Sequence, residues 1–218
     1  WILRKTESAT LKLNKATDIH IKYDDLFKTD GIKVIPVNEY FDTHVGDRII
    51  SPDSLHGQFI RRYFNGREDE LSDKIKEQSV EEMRKTIIND LTVGMDGTDI
   101  KAGVIGEVGS SMEITEAEYK FLQAAAEAQA ETGFGMHIHA CLWNAEGLKA
   151  LKFAISKGAN PEKICVDHAD VRLNEDYILG VLNEGSYIDF DDFGKEFYVD
   201  RRNRNLLLNS FASDIERC

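Results

Sequence analysis

The sequence predicts an α/β fold organised on a parallel sheet, and three observations carry that expectation. From Ala102 onward, short apolar runs of strand length alternate four times with longer amphipathic segments. Each strand-plus-helix unit takes about 25 to 30 residues, enough for a helical crossover between parallel strands. A shorter α/β segment with a different rhythm precedes these units.

Taken in order, "DIHIKY" (18–23) and "IKVIPV" (32–37) alternate or run apolar at strand length and are separated by the turn-like "KTDG". "SPDSLHGQFIRRYF" (51–64) opens with Ser and Pro and spaces Leu55, Phe59, Ile60 and Tyr63 as one helix face does. The polar stretch "NGREDELSDKIKEQ" follows, with no element assigned to it. At "SVEEMRKTIINDL" the pattern becomes helical again, with Ser79 at the N-cap and Glu82 at N3 of a capping box. Then come strand "AGVIGEV" and helix "TEAEYKFLQAAAEAQAETG", strand "GMHIHA" and helix "AEGLKALKFAISKG", strand "ICVDH" and helix "NEDYILGVLNEG", and strand "YIDF" before a last helix near "NRNLLLNSFASDIE". Such units fit part of a (β/α)8 barrel as well as a doubly wound sheet, and pattern alone leaves both open. The glycines of "GVIGEVG" lack dinucleotide-fingerprint spacing and surround Glu107, which argues against a phosphate site there.

Bulk properties narrow the function. With 218 residues, 42% of them hydrophobic, the chain can bury a real core. A formal net charge of −12 argues against a nucleic-acid partner, which needs a surplus of Lys and Arg in a patch. Apolar runs are far shorter than the roughly 18 residues of a membrane span, and no signal-peptide layout opens the chain, so no membrane partner is expected. The three cysteines, Cys141, Cys165 and Cys218, suit neither a disulfide framework nor a paired-cysteine zinc site, and a reducing cytoplasm is the expected location. Trp1 at the start, and a helical pattern running to Cys218 without a stop signal, lead us to expect a fragment.

Reactive residues of parallel α/β units gather at the C-terminal ends of the strands. Three such ends carry a metal-ligand type: Glu107, His139 and His168. Carboxylate and neutral imidazole are what zinc and similar ions accept, and a hydrolytic site uses the ion to acidify a water. His137 shares a strand face with His139 because side chains alternate with period two. It lies deeper, where a satisfied core or supporting role is expected, and Cys141 reads as a small apolar filler. Asp167 and Asp170 flank His168, while Asp189, Asp191 and Asp192 crowd the next strand end. Acidic loop residues in so negative a chain are expected to be solvated, with Asp191 the best candidate to orient a histidine.

The blocks "GTDIKAGVIGEVG", "EYKFLQAAAEAQAETG", "MHIHA", "GANPEKICVDHAD" and "GSYIDFDDFGKEFYVDRRNR" follow in an order that resembles the phosphotriesterase family of the amidohydrolase superfamily, over about residues 79 to 218. The resemblance implies a (β/α)8 (TIM) barrel, of which this chain holds about strands 4 to 7. It also implies a two-metal centre, commonly zinc, whose water attacks a phosphotriester, lactone or related small-molecule ester. Glu107 falls at the metal-bridging position and so would act in catalysis, and His139 and His168 match the histidines that hold one metal. His137 has no counterpart as a ligand. The family's first-strand HxH and last-strand aspartate are not found here, which implies that these residues alone do not assemble the two-metal catalyst. An open part-barrel also exposes sheet edges, so self-association is expected.

"DIHIKYDDLFKTDGIKVIPVNEYFDTHVGDRIISPDSLHGQFI" resembles instead the macro-domain module of Thoeris antiphage effectors, over about residues 15 to 77. That resemblance implies binding of an ADP-ribose-like nucleotide, with Asp25 at the adenine-contacting position and Asn38 on the ribose side. Asp24 replaces the usual preceding glycine, and the glycine-rich phosphate loop is not found. The expected organisation is therefore a partial macro-like segment at 1–77 and a partial phosphotriesterase-like barrel at 78–218, joined in the manner of a fusion of fragments.

Overall fold

The structure, a computed structural model, describes residues 8–22, 24–30, 35, 43–46, 50–171 and 173–215, with side chains of the last helix described as far as Asn209. Two compact units divide the chain, residues 1–36 and 37–218.

In the first unit, β1 (Ser8–Lys12) and β2 (Asp18–Lys22) form an antiparallel hairpin with Thr10 opposite His20. All ten strand residues are exposed. The expected strand at 18–23 is present as β2, but its partner is β1, which the sequence reading missed. Segment 32–37 lies outside the described residues apart from Ile35. Asp25 caps a single 3-10 turn: its carboxylate accepts the Phe27 N–H at 3.0 Å and pairs with Lys28 at 3.4 Å. Asn38 lies outside the described residues.

In the second unit, α1 (Leu55–Phe64) begins one turn later than the sequence suggested, because Ser54 supplies the cap by accepting the Gly57 N–H at 3.0 Å. The polar stretch after it is a helix, α2 (Glu68–Glu77). Its charges explain that: Glu68, Asp69 and Glu70 occupy the first turn and Lys74 and Lys76 the last, each complementing the helix dipole. In α3 (Val80–Thr92) the capping box is complete, since Ser79 accepts the Glu82 N–H while Glu82 accepts the Ser79 N–H at 2.8 Å.

Four parallel strands follow, β3 (Ile105–Gly109), β4 (Met136–His139), β5 (Ile164–Val166) and β6 (Tyr187–Ile188). They alternate with α4 (Glu116–Thr132), α5 (Glu146–Ser156) and α6 (Glu175–Asn183), and α7 (Arg201–Ile215) comes last. Spatial order equals chain order, β3-β4-β5-β6. A doubly wound sheet reverses its order at a switch point and covers both faces with helices. Here the order never reverses, and α4, α5 and α6 each pack on a strand beside them, with α4 against α5 and α5 against α6, as in a barrel wall.

One face of the sheet carries Ile105, Val108, Met136, Ile138, Ile164 and Val166, all buried against the helices. Full burial of such a side chain contributes about 1.5–3 kcal/mol. A one-residue register slip would turn these side chains outward and two histidines inward, so the apolar face fixes which strand residues meet on the other face. That other face presents Glu107, His137, His139, Cys165 and Tyr187, exposed or half-buried. No helix among the described residues is long and apolar enough to cross a membrane.

Candidate metal centre

Each predicted metal-ligand residue is placed by a strand end with its own anchor. Glu107 sits in β3, where the register with β4 shifts between Ile105 and Val108. The preceding Gly106 has φ +126° and lies so close to β4 that a Cβ there would stand 2.6 Å from the His137 carbonyl oxygen. Only glycine fits, and its neighbour Glu107 is thereby held against β4. Beyond β3, both Ser110 N–H and Oγ–H donate to the His139 carbonyl, at 3.0 and 2.9 Å. The buried Glu118 carboxylate closes this loop, accepting from Ser111 N–H at 2.8 Å, from Ser111 Oγ, and from Thr115 N–H at 2.6 Å.

His168 follows β5 in a left-handed backbone conformation, φ +61°. That conformation costs a residue with a side chain about 1–3 kcal/mol unless its surroundings hold it. Two contacts hold it here: Ala169 N–H donates to Asp189 O at 3.0 Å, and the His168 ring lies 2.8 Å from an Asp191 carboxylate oxygen through Nδ1. A hydrogen bond from Nδ1–H to Asp191 fixes the tautomer that leaves the Nε2 lone pair facing the other side. On that side Nε2 meets His139 Nδ1 at 2.9 Å and Glu107 Oε1 at 3.8 Å, while His139 Nδ1 lies 3.2 Å from Glu107 Oε2. One ligand atom from each of Glu107, His139 and His168 lies within 4.8 Å of the other two. A carboxylate with two imidazoles converging in this way is a donor set that zinc-class ions accept.

Asp191 contacts His168, as an orienting group should. Asp167 and Asp170, expected to be solvated, are instead buried, and the cause is a partner from a distant element in each case. Asp167 accepts from His137 Nδ1 at 2.8 Å, and Asp170 stands 2.6 Å from Arg204 Nε of α7. His137 is half-buried rather than enclosed, and Cys141, read as filler, is half-exposed. Cys165 figured in the sequence only as one of three cysteines, and its place beside Asp167 was missed. Its position two residues before Asp167 on a strand, level with His137, was the available signal.

Burial raises the carboxyl pKa of Asp167; the His137 hydrogen bond opposes this and the Glu107 charge adds to it. Burial, reinforced by the Asp167 charge, also pushes the Cys165 thiol up to about 12. A carboxyl raised above its unfolded value binds more protons when folded, so its contribution to stability falls as pH rises from the unfolded value through the raised one. Asp167→Asn removes that penalty and keeps an acceptor for His137. We expect it to stabilise the ion-free chain by about 1 kcal/mol at neutral pH and to change little at acid pH, as read by urea melts. An unchanged midpoint at neutral pH would show that the carboxylate is fully compensated.

The Phosphotriesterase family matches residues 71–214. A phosphotriesterase-related protein of Nematostella vectensis is 35% identical over 148 residues, 67% of this chain and 41% of its own length. An N-acetyltaurine hydrolase of Xenopus tropicalis is 35% identical over 126 residues, 57% of this chain and 36% of that protein. Among solved structures, the phosphotriesterase homology protein from Escherichia coli, complexed with phosphate in its active site, superposes with a TM-score of 0.62 at 31% identity. It covers 65% of this chain and 49% of the other. The organophosphorus hydrolase from Deinococcus radiodurans gives a TM-score of 0.57 at 30% identity, over 70% of this chain and 45% of that one.

This chain belongs to the phosphotriesterase family, and its four strand–helix units are part of a (β/α)8 barrel. It spans less than half the length of these relatives.

Proposed function

We propose that the chain carries one metal position of a phosphotriesterase-type hydrolase acting on a phosphotriester, lactone or related ester, with zinc as the ion. The convergence of Glu107, His139 and His168 carries this reading. Three protein donors leave a coordination position open, which is what distinguishes a reactive zinc site from a structural one. A bound ion supplies Lewis acidity toward a water and toward the ester.

The chain's own residues do the rest. Glu107, next to both imidazoles, holds negative charge at the centre and can accept the proton that a water gives up. Asp191 keeps the His168 ring in one tautomer and orientation. Trp143 and Tyr198, whose rings meet edge-on at 5.8 Å, come from the segments after β4 and β6 and are the aromatic pair we assign to an apolar ester substituent. A relative named for N-acetyltaurine hydrolysis extends the candidate substrates to acyl amides.

Metal analysis tests the reading. The purified chain should bind zinc, and His139→Ala and His168→Ala should each lower the content by about one equivalent. Zinc content unchanged in both variants would overturn the assignment.

A further inference from the structure

We propose a second cation position on the same sheet face, built from His137, Cys165 and Asp167, for a zinc-class divalent ion held by nitrogen, sulfur and oxygen. None of its three donors belongs to the first group. One ligand atom from each residue lies within 4.8 Å of the other two. The strand register produces the grouping, because His137 of β4 stands directly opposite Cys165 of β5, and Asp167 is the next residue of the β5 segment on that face.

Two further observations point to a ligand. Asp167 is 1% exposed, and while Oδ1 accepts from His137, its buried Oδ2 has no donor in good hydrogen-bond geometry, with only the Cys165 thiol and the Glu107 carboxyl beside the carboxylate. A buried carboxylate oxygen without a donor is costly, and a cation is the partner that satisfies it best. The second observation is access: His137 is 40% exposed and Cys165 half-buried, so an ion can reach the carboxylate past them. Thiolate and carboxylate together cancel a divalent charge, and the mixed N, S, O set selects zinc or cobalt over calcium or magnesium, which take oxygen. Binding breaks the S–H bond, releases that proton to solvent and forms the sulfur–metal bond, with no change of oxidation state.

Cobalt alone is the probe, because thiolate coordination to Co2+ gives a charge-transfer band in the near ultraviolet that histidine and carboxylate ligands do not. Titration of the metal-free chain should give a saturating band. Cys165→Ser, which hardly changes volume, should abolish it, whereas the Cys141→Ser/Cys218→Ser double variant, left with Cys165 as its single thiol, should keep it. His137→Gln and Asp167→Asn should each shift the titration to at least about tenfold higher cobalt. The His139→Ala/His168→Ala double variant should retain the band, so this position stands or falls apart from the first one. A wild-type chain without the band, a band that survives Cys165→Ser, or one lost in the His139→Ala/His168→Ala variant overturns the proposal.

Discussion

Arg204→Ala is expected to lower folding stability by about 3–5 kcal/mol, the cost of leaving a buried charge without its partner. Both side chains of the Arg204–Asp170 pair are 0% exposed, and the guanidinium Nε stands 2.6 Å from Asp170 Oδ2. The guanidinium also lies over the Phe193 ring, 5.1 Å from its centre. Through this pair α7 is tied to the segment that follows β5, two residues beyond His168. The pH dependence of the loss is a sharper test than its size. Burial raises the Asp170 carboxyl pKa, and the Arg204 charge works against that rise. Without Arg204 the carboxyl rises further and takes a proton more readily in the folded state. The deficit of Arg204→Ala should therefore shrink as pH falls through the raised value and be largest at neutral pH and above. In a double-mutant cycle, Asp170→Ala combined with Arg204→Ala should recover part of the loss, because no unpaired charge then remains inside. Urea melts of the four proteins at neutral and acid pH measure both effects. A deficit under about 1 kcal/mol, or one that grows toward acid pH, would show that the pair is solvated in solution.

What the sequence made legible, and what it hid, follows from where the information sits. Caps and periodicity are local: Ser79 with Glu82, and Thr115 with Glu118, close their boxes within four residues, so α3 and α4 begin where they should. Glu107, His139 and His168 stood out because a strand end followed by a helix can be recognised within each unit. Elements with little apolar content were harder. β1 alternates only through Ala9 and Leu11 over five residues, too short a pattern to stand out, and α2 depends on charge placement more than on an apolar stripe. Burial of acids was harder still. Asp167 and Asp170 look like any surface aspartate until His137, about 30 residues back, and Arg204, about 30 residues on, are brought alongside by the barrel wall. A net charge of −12 made solvation the natural expectation, yet it says nothing about which few acids meet a cationic or proton-donating partner.

The largest effects on metal binding should fall along a line running outward from His168, and their grading separates ligand from support. His168→Ala deletes a donor of the first group and should leave that position with no measurable zinc at micromolar ion. Asp191→Ala leaves every donor in place and removes the oxygen 2.8 Å from His168 Nδ1, so the ring loses its fixed tautomer and orientation. Its expected cost is about 10–100-fold in zinc affinity, with the stoichiometry preserved, which a buffered zinc titration resolves from outright loss. Asp192→Ala supplies the contrast. Its carboxylate lies farther from Nδ1, at 3.7 Å, and pairs with Lys195. Asp192→Ala should therefore lower stability while changing zinc affinity less than Asp191→Ala does. Asp191→Asn refines the point, since a carboxamide oxygen can still accept a hydrogen bond from Nδ1–H but without full negative charge, and so should recover part of the loss. If Asp191→Ala and Asp192→Ala weaken zinc equally, the effect is one of net charge near the site. If neither does, the backbone alone holds His168 in place, through its left-handed conformation and the Ala169–Asp189 hydrogen bond.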